Sequence, residues 1–139
     1  MTPRVSHLLE SSLYVADVDR SVVFYQRVFG FELLLTEPRV AALAVPGGSV
    51  LLLCRQGGST VPRVVAGAVI PGHDARGSQH LCFAVPLVGL AEWPEHLAAC
   101  GVTIESRVGP QSFGGTSLYF RDPDGHLLEV AGPGLWQVY

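Results

Sequence analysis

Three residues in this chain join chemical capacity to matching placement: Glu10, His80 and Glu129. Glu10 and His80 each stand five residues before a valine, Val15 and Val85, and each heads a segment with alternating apolar residues. Side chains in a strand point alternately to opposite faces. Glu10 therefore shares a face with Ser12 and Tyr14, His80 with Cys82 and Ala84, and Glu129 with Leu127 and Ala131. The opposite faces carry Leu13 and Val15, then Leu81, Phe83 and Val85, then Leu128 and Val130, which helices must cover. Two carboxylates and an imidazole are left facing the cleft side of the sheets. A histidine at a strand start is often only a hydrogen-bonded surface residue, but the shared register with two acids favours a functional role. Glu129, inside Leu-Leu-Glu-Val, needs a partner wherever that strand is buried. Glu10 is either a ligand-binding acid or a hydrogen-bonding neighbour of Ser12 and Tyr14.

The elements that would hold these groups occur twice. Residues 9–15 read as a strand, and Asp17 suits the N-cap of a helix running to Phe29. Val18, Ser21, Val22, Tyr25, Val28 and Phe29 recur at helical spacing, and Gly30 supplies the left-handed stop. Residues 31–36, 40–45 and 49–55 read as strands, the last two joined by Pro46-Gly47-Gly48. Residues 56–79 are glycine-rich without a sustained period, which predicts a linker or functional loop. Then the pattern returns: a strand over 80–85, a helix over 90–100 with Pro94 in its first turn, a stop at Gly101, and strands over 102–108, 116–121 and 126–131. Asp122-Pro123-Asp124-Gly125 forms the final turn.

Val15 and Val85 lie 70 residues apart, Gly30 and Gly101 lie 71 apart, and Gly48 and Gly125 lie 77 apart. Such self-similarity marks a duplicated supersecondary unit. The expectation is an α+β fold: two tandem βαβββ units, about 7–55 and about 80–133, whose curved mixed sheets surround a cleft within one domain spanning 1–139. A single ferredoxin-like sandwich with an added strand pair would explain the element order but not the spacings.

With 48% apolar and 15% charged residues in a chain of 139, the composition is that of a globular protein with a real core. The longest apolar runs, 40–46 and 50–54, are strand-sized and too short to span a bilayer. No apolar leader opens the sequence, so the expected address is cytoplasmic. A net charge of −3 without a basic cluster argues against nucleic acid as a partner. All nine basic residues are arginine, so no side chain can form a Schiff base and no phosphate-loop lysine exists. Cys54, Cys82 and Cys100, odd in number and lacking C-x-x-C spacing, are expected as reduced thiols.

The segment S-L-Y-V-A-D-V-D-R-S-V-V-F-Y-Q-R-V-F-G-F-E-L resembles the opening of a vicinal oxygen chelate protein, and S-L-Y-F-R-D-P-D-G-H-L-L-E-V resembles its closing hairpin. This superfamily includes glyoxalase I, fosfomycin- and bleomycin-resistance proteins and extradiol dioxygenases. The resemblance implies a divalent-metal site on the first, fifth and last strands, carried here by Glu10, His80 and Glu129, with Glu129 also in a catalytic role. Histidine is usual where Glu10 stands. The fourth ligand position of glyoxalase I falls on Leu52, which cannot ligate. An imidazole with two carboxylates suits Mn²⁺, Fe²⁺, Ni²⁺ or Zn²⁺, and leaves the site formally neutral and less electrophilic than one with two histidines. Ser117 and Tyr119 match substrate-contacting positions of fosfomycin-resistance transferases, and Ser12, Tyr14 and Cys82 share the candidate faces. Fosfomycin transfer itself is disfavoured because that family uses a lysine.

Two functions follow from the resemblance. One is a metal-dependent isomerase, lyase or transferase acting on a small substrate that chelates the ion through adjacent oxygens. The other is a metal-free binding protein of the bleomycin-resistance type, which sequesters its ligand. A homodimer is expected in either case, because curved sheets of this kind leave open edges and apolar walls.

Overall fold

Strand β1 (Glu10–Val15) begins exposed and ends buried, with Leu13 and Val15 of its apolar face at most 1% exposed. The computed structural model describes residues 1–109 and 114–139. These divide into two compact units, Met1–Arg76 and Gly77–Tyr139.

In the first unit, Asp17 caps α1 (Val18–Phe29) by accepting from the Arg20 amide at 3.0 Å, and Gly30 ends it in the left-handed region at φ 68°. Val18, Val22, Tyr25 and Val28 form the buried stripe. Tyr25, Phe29 and Phe31 stack in sequence, with ring centroids 5.9 and 5.0 Å apart. Strands β2 (Glu32–Glu37), β3 (Val40–Val45) and β4 (Ser49–Arg55) follow. β1 pairs in parallel with β4, giving the order β1-β4-β3-β2. The α1 side of the sheet is closed by Leu13, Leu43, Leu51 and Leu53, each at most 1% exposed.

The segment expected to lack structure does not. It contains a two-stranded ribbon, β5 (Arg63–Val65) and β6 (Ala68–Ile70), an arm that belongs to the first unit, which ends at Arg76. Its tip is a two-residue turn with positive φ at both Ala66 (51°) and Gly67 (78°), the geometry that matches strand twist. Asn-Gly or Asp-Gly would have announced this turn, whereas Ala-Gly does not. The arm's two legs approach so closely at Gly72 that a Cβ there would stand 2.4 Å from the Thr60 carbonyl oxygen.

The second unit repeats the sheet: β7 (His80–Ala84), β8 (Ser106–Val108), β9 (Ser117–Arg121) and β10 (Leu127–Ala131) are ordered β7-β10-β9-β8, with β7 and β10 parallel. Two sequence expectations are corrected here. The single helix over 90–100 is two short ones, α2 (Leu87–Leu90) and α3 (Trp93–Ala99), because Pro94 is tolerated only in a first turn and so forces a new start. The strand expected over 102–108 is limited to β8, since a strand persists only where a ladder partner exists and the Val102 amide is spent on the Leu97 carbonyl at the helix end.

The closing hairpin turn forms as its residues dictate. Asp122, 5% exposed, accepts from the amides of Asp124 and His126, both at 2.9 Å. Asp122→Ala should therefore leave one buried and one part-buried amide without their acceptor and cost about 1–3 kcal/mol, while Asp122→Asn keeps most of the stability. Urea midpoints at unchanged slope would measure the difference.

Candidate functional site

The register of the second unit sets its site. Glu129 on β10 lies between Cys82 on β7 and Tyr119 on β9 as direct cross-strand partners, and Ala131 pairs with Ser117. Strand parity puts His80, Cys82, Glu129, Tyr119 and Ser117 on one face. His80 Nε2 stands 3.3 Å from Glu129 Oε2.

The imidazole is fixed from behind. His80 Nδ1 lies 2.9 Å from the Leu127 carbonyl oxygen, and a carbonyl can only accept, so Nδ1 carries the proton. Nε2 then faces a carboxylate oxygen, a contact that is favourable if a proton is shared between the two or a cation lies between them. Glu129 is 4% exposed; its Oε1 and the buried Ser117 hydroxyl make no well-formed hydrogen bond, although the Tyr119 hydroxyl lies near enough to both side chains, and the Cys82 thiol near enough to the carboxylate, to interact with them. A buried carboxylate oxygen without a well-formed hydrogen bond is costly. A cation answers both features: two donors each about 2.1 Å from one ion, at angles of about 90–109°, stand roughly 3.0–3.4 Å apart. An imidazole whose second nitrogen donates to a backbone carbonyl is also the usual arrangement for a metal ligand. These residues fit a divalent ion. Among the described residues, however, no three His, Cys, Asp or Glu side chains are grouped to hold one.

The carboxylate shapes its neighbours. Burial first, then the Glu129 charge, pushes the Cys82 thiol up to about 12. Burial, then Glu129, also raises the Tyr119 hydroxyl. Both groups keep their protons at neutral pH.

In the first unit, Glu10 is exposed at the head of β1, on the same sheet face as Ser12 and Tyr14. That face looks onto a cleft of about 520 Å³ whose lining includes Glu10, Leu52, Cys54, Val64 and His73. Tyr14 and His73 Nδ1 share a hydrogen bond that ties the arm to the sheet. Burial first, then Cys54 and Asp74, raises the Tyr14 hydroxyl. Burial raises the Cys54 thiol, partly offset by a hydrogen bond from Ser12. Sequence reasoning passed over His73 and Cys54 at this cleft. The parity of β4 would have found Cys54, but nothing in the loop's composition marks His73.

The remaining histidines are structural. His7 bonds the Gly48 carbonyl at 3.2 Å, and the buried His126 accepts from the Gln79 amide at 3.0 Å. His96 lies 3.7 Å from the Cys100 sulfur. Arg121 pairs with Glu105 at 2.8 Å beside the closing turn. The three cysteines are free thiols.

Two βαβββ units of matching strand order, each with polar groups on the sheet face away from its helices, define a duplicated α+β module. The chain belongs to the Glyoxalase/Bleomycin resistance protein/Dioxygenase superfamily, whose family profile matches residues 4–130. It is 31% identical over 132 residues to metallothiol transferase FosB of Shouchella clausii, covering 94% of this chain and 80% of that one. It is 29% identical over 130 residues to catechol-2,3-dioxygenase of Bacillus subtilis, covering 90% of this chain but only 41% of that longer enzyme. Among solved structures, lactoylglutathione lyase from Agrobacterium tumefaciens superposes with a TM-score of 0.85 at 31% identity, covering 97% of this chain and 99% of that one. The fold is thus the glyoxalase fold, and members of the superfamily carry lyase, transferase and dioxygenase activities.

If Glu129 holds Cys82 in its protonated form, Glu129→Gln should lower the thiol's pKa. Alkylation of Cys82 by iodoacetamide at pH 8, followed by peptide mass spectrometry, should then be faster than in the unaltered protein. An unchanged or slower rate would contradict the coupling.

Proposed function

We propose that the protein is a divalent-metal-dependent enzyme, an isomerase, lyase or transferase, acting on a small substrate that presents two adjacent oxygens. The observation that carries this reading is the buried Glu129 carboxylate, with Oε1 lacking a well-formed hydrogen bond and Oε2 3.3 Å from a back-braced His80. His80 and Glu129 would hold the ion, with Glu10 as a third protein ligand from the same chain or a second copy. The set suits Mn²⁺, Fe²⁺, Ni²⁺ or Zn²⁺. When bound, such an ion would supply Lewis acidity to the chelating oxygens and stabilise charge developing on them. The chain's own groups do the rest. The Leu127 carbonyl orients His80, and Glu129 would take a proton from the bound substrate. Tyr119 stays protonated and can donate a hydrogen bond, with the buried Ser117 hydroxyl two residues before it on β9. Cys82, Ser12 and Tyr14 complete the contact surface.

The metal-free alternative, a ligand-sequestering protein of the bleomycin-resistance type, is favoured by one observation: the first unit's cleft of about 520 Å³ is largely apolar. Titration calorimetry with Mn²⁺, Ni²⁺ and Zn²⁺ decides between them. His80→Ala and Glu129→Ala should each reduce affinity by about 10-fold or more, since each removes one of three protein donors, and Glu10→His should keep or strengthen binding of Zn²⁺ or Ni²⁺. Metal binding unchanged in both alanine variants would remove the chelate site and leave the binding protein as the better reading.

We take the two units as one functional domain in a cytoplasmic homodimer. β1 and β7 each lie at a sheet edge with one ladder only. Leu34, Val64 and Val69 are 54%, 69% and 63% exposed. Light scattering at micromolar concentration should give twice the 14.8 kDa chain mass, and a monomeric mass would refute the pairing.

A further inference from the structure

We propose that the first unit's cleft binds an amphiphilic organic anion, an apolar body bearing a carboxylate or sulfonate, with Arg39 as the group that anchors the charge. The assignment goes beyond the metal reading and shares only Glu10 with it: Arg39 and the apolar walls of the cleft take no part in the proposed chelate site.

The cleft's volume, about 520 Å³, falls in the range of small-molecule sites, about 300–1,000 Å³. Leu35, Val40 and Leu52 from the sheet and Val61, Val64 and Ile70 from the arm supply apolar walls. The charged lining residues are Glu10, Arg39 and Arg63. Arg63 is committed: its two terminal nitrogens reach the two oxygens of Glu37 at 3.0 and 3.2 Å. Arg39 is not. Its guanidinium gives one hydrogen bond, from Nη1 to the Gly58 carbonyl at 3.1 Å, and among the described residues it pairs with no carboxylate. A guanidinium has five N–H donors, so most of its capacity is unspent.

The second acid–base feature is orientation along the strands. Glu10 lies in one row with Val50 and Ala44, whereas Arg39 directly precedes Val40, which is level with Cys54 and Tyr14. Glu10 and Arg39 are therefore five rows apart, about 16 Å along the strands at about 3.3 Å per residue. Among the described residues no ion pair joins Glu10 to the guanidinium, whose one side-chain hydrogen bond goes to the Gly58 carbonyl. The cleft is polarised, with its unpaired cation at one end, its carboxylate at the other and an apolar floor between. A ligand with an anionic head and an apolar body matches that sequence of surfaces in one direction only.

Two fluorescent probes of the same shape test this on the full chain: 1-anilinonaphthalene-8-sulfonate, and N-phenyl-1-naphthylamine, which lacks the charge. The sulfonate should bind the unaltered protein more tightly than the amine. Arg39→Gln, which can still donate to the Gly58 carbonyl, should weaken the sulfonate about tenfold and leave the amine unchanged, and Arg39→Lys should recover part of the loss. Val64→Trp, which fills the cleft from the exposed arm, should weaken both probes. Sulfonate binding indifferent to Arg39→Gln, equal loss of both probes in that variant, or indifference of both probes to Val64→Trp would each overturn the proposal. Zn²⁺ titration of Arg39→Gln reports on the chelate site alone, so the two readings fail separately.

Discussion

A carboxylate taken out of water must be compensated by a proton, a hydrogen-bond donor or a cation, and the uncompensated cost runs to several kcal/mol. Glu129 lies under that constraint at the centre of the second sheet, 4% exposed, with one oxygen lacking a well-formed hydrogen bond and the other opposite an imidazole nitrogen. Much of the surrounding structure can be understood as its setting. The Asp122 turn fixes where β10 begins, the β10 register puts Cys82 and Tyr119 on either side, and the Leu127 carbonyl holds the imidazole in the one orientation that meets the carboxylate.

The duplication makes the two units a comparison of one scaffold with two surfaces. Equivalent rows of the sheets pair Glu10 with His80, Ser12 with Cys82, Leu52 with Glu129 and Ala42 with Tyr119. Where the second unit carries donors, the first carries leucine and alanine. The same strand order therefore yields a polar, ion-compatible face in one case and an apolar cleft floor in the other. In the first unit the arm closes over that floor, tied by Tyr14 and His73. The difference is one of side chains and one insertion, not of backbone plan.

Much of this was legible in the sequence because it rests on local, periodic signals. Asp17 and Gly30 bounded α1, strand parity assigned faces to Glu10, His80 and Glu129, and Asp122 to Gly125 announced the last turn. What escaped had no such signal. The ribbon at 63–70 has strands of three residues and an alanine where asparagine would announce the turn. The break between α2 and α3 depends on how one proline is accommodated, and the short β8 depends on how much partner strand is available. His73 reaches Tyr14 only because Gly72 lets the two legs of the arm touch, a tertiary contact that no sequence window contains.

The placement of β1 at the edge of its sheet has a consequence for how such a protein can diversify. Glu10 is the first residue of that strand, bonded into one ladder only, with its side chain exposed. A new residue there displaces no packed neighbour, whereas β10 lies between two strands and Glu129 has no room to vary. Position 10 is thus an inexpensive site for evolutionary exploration: acid, imidazole, amide or hydroxyl can be tried in succession on an intact fold.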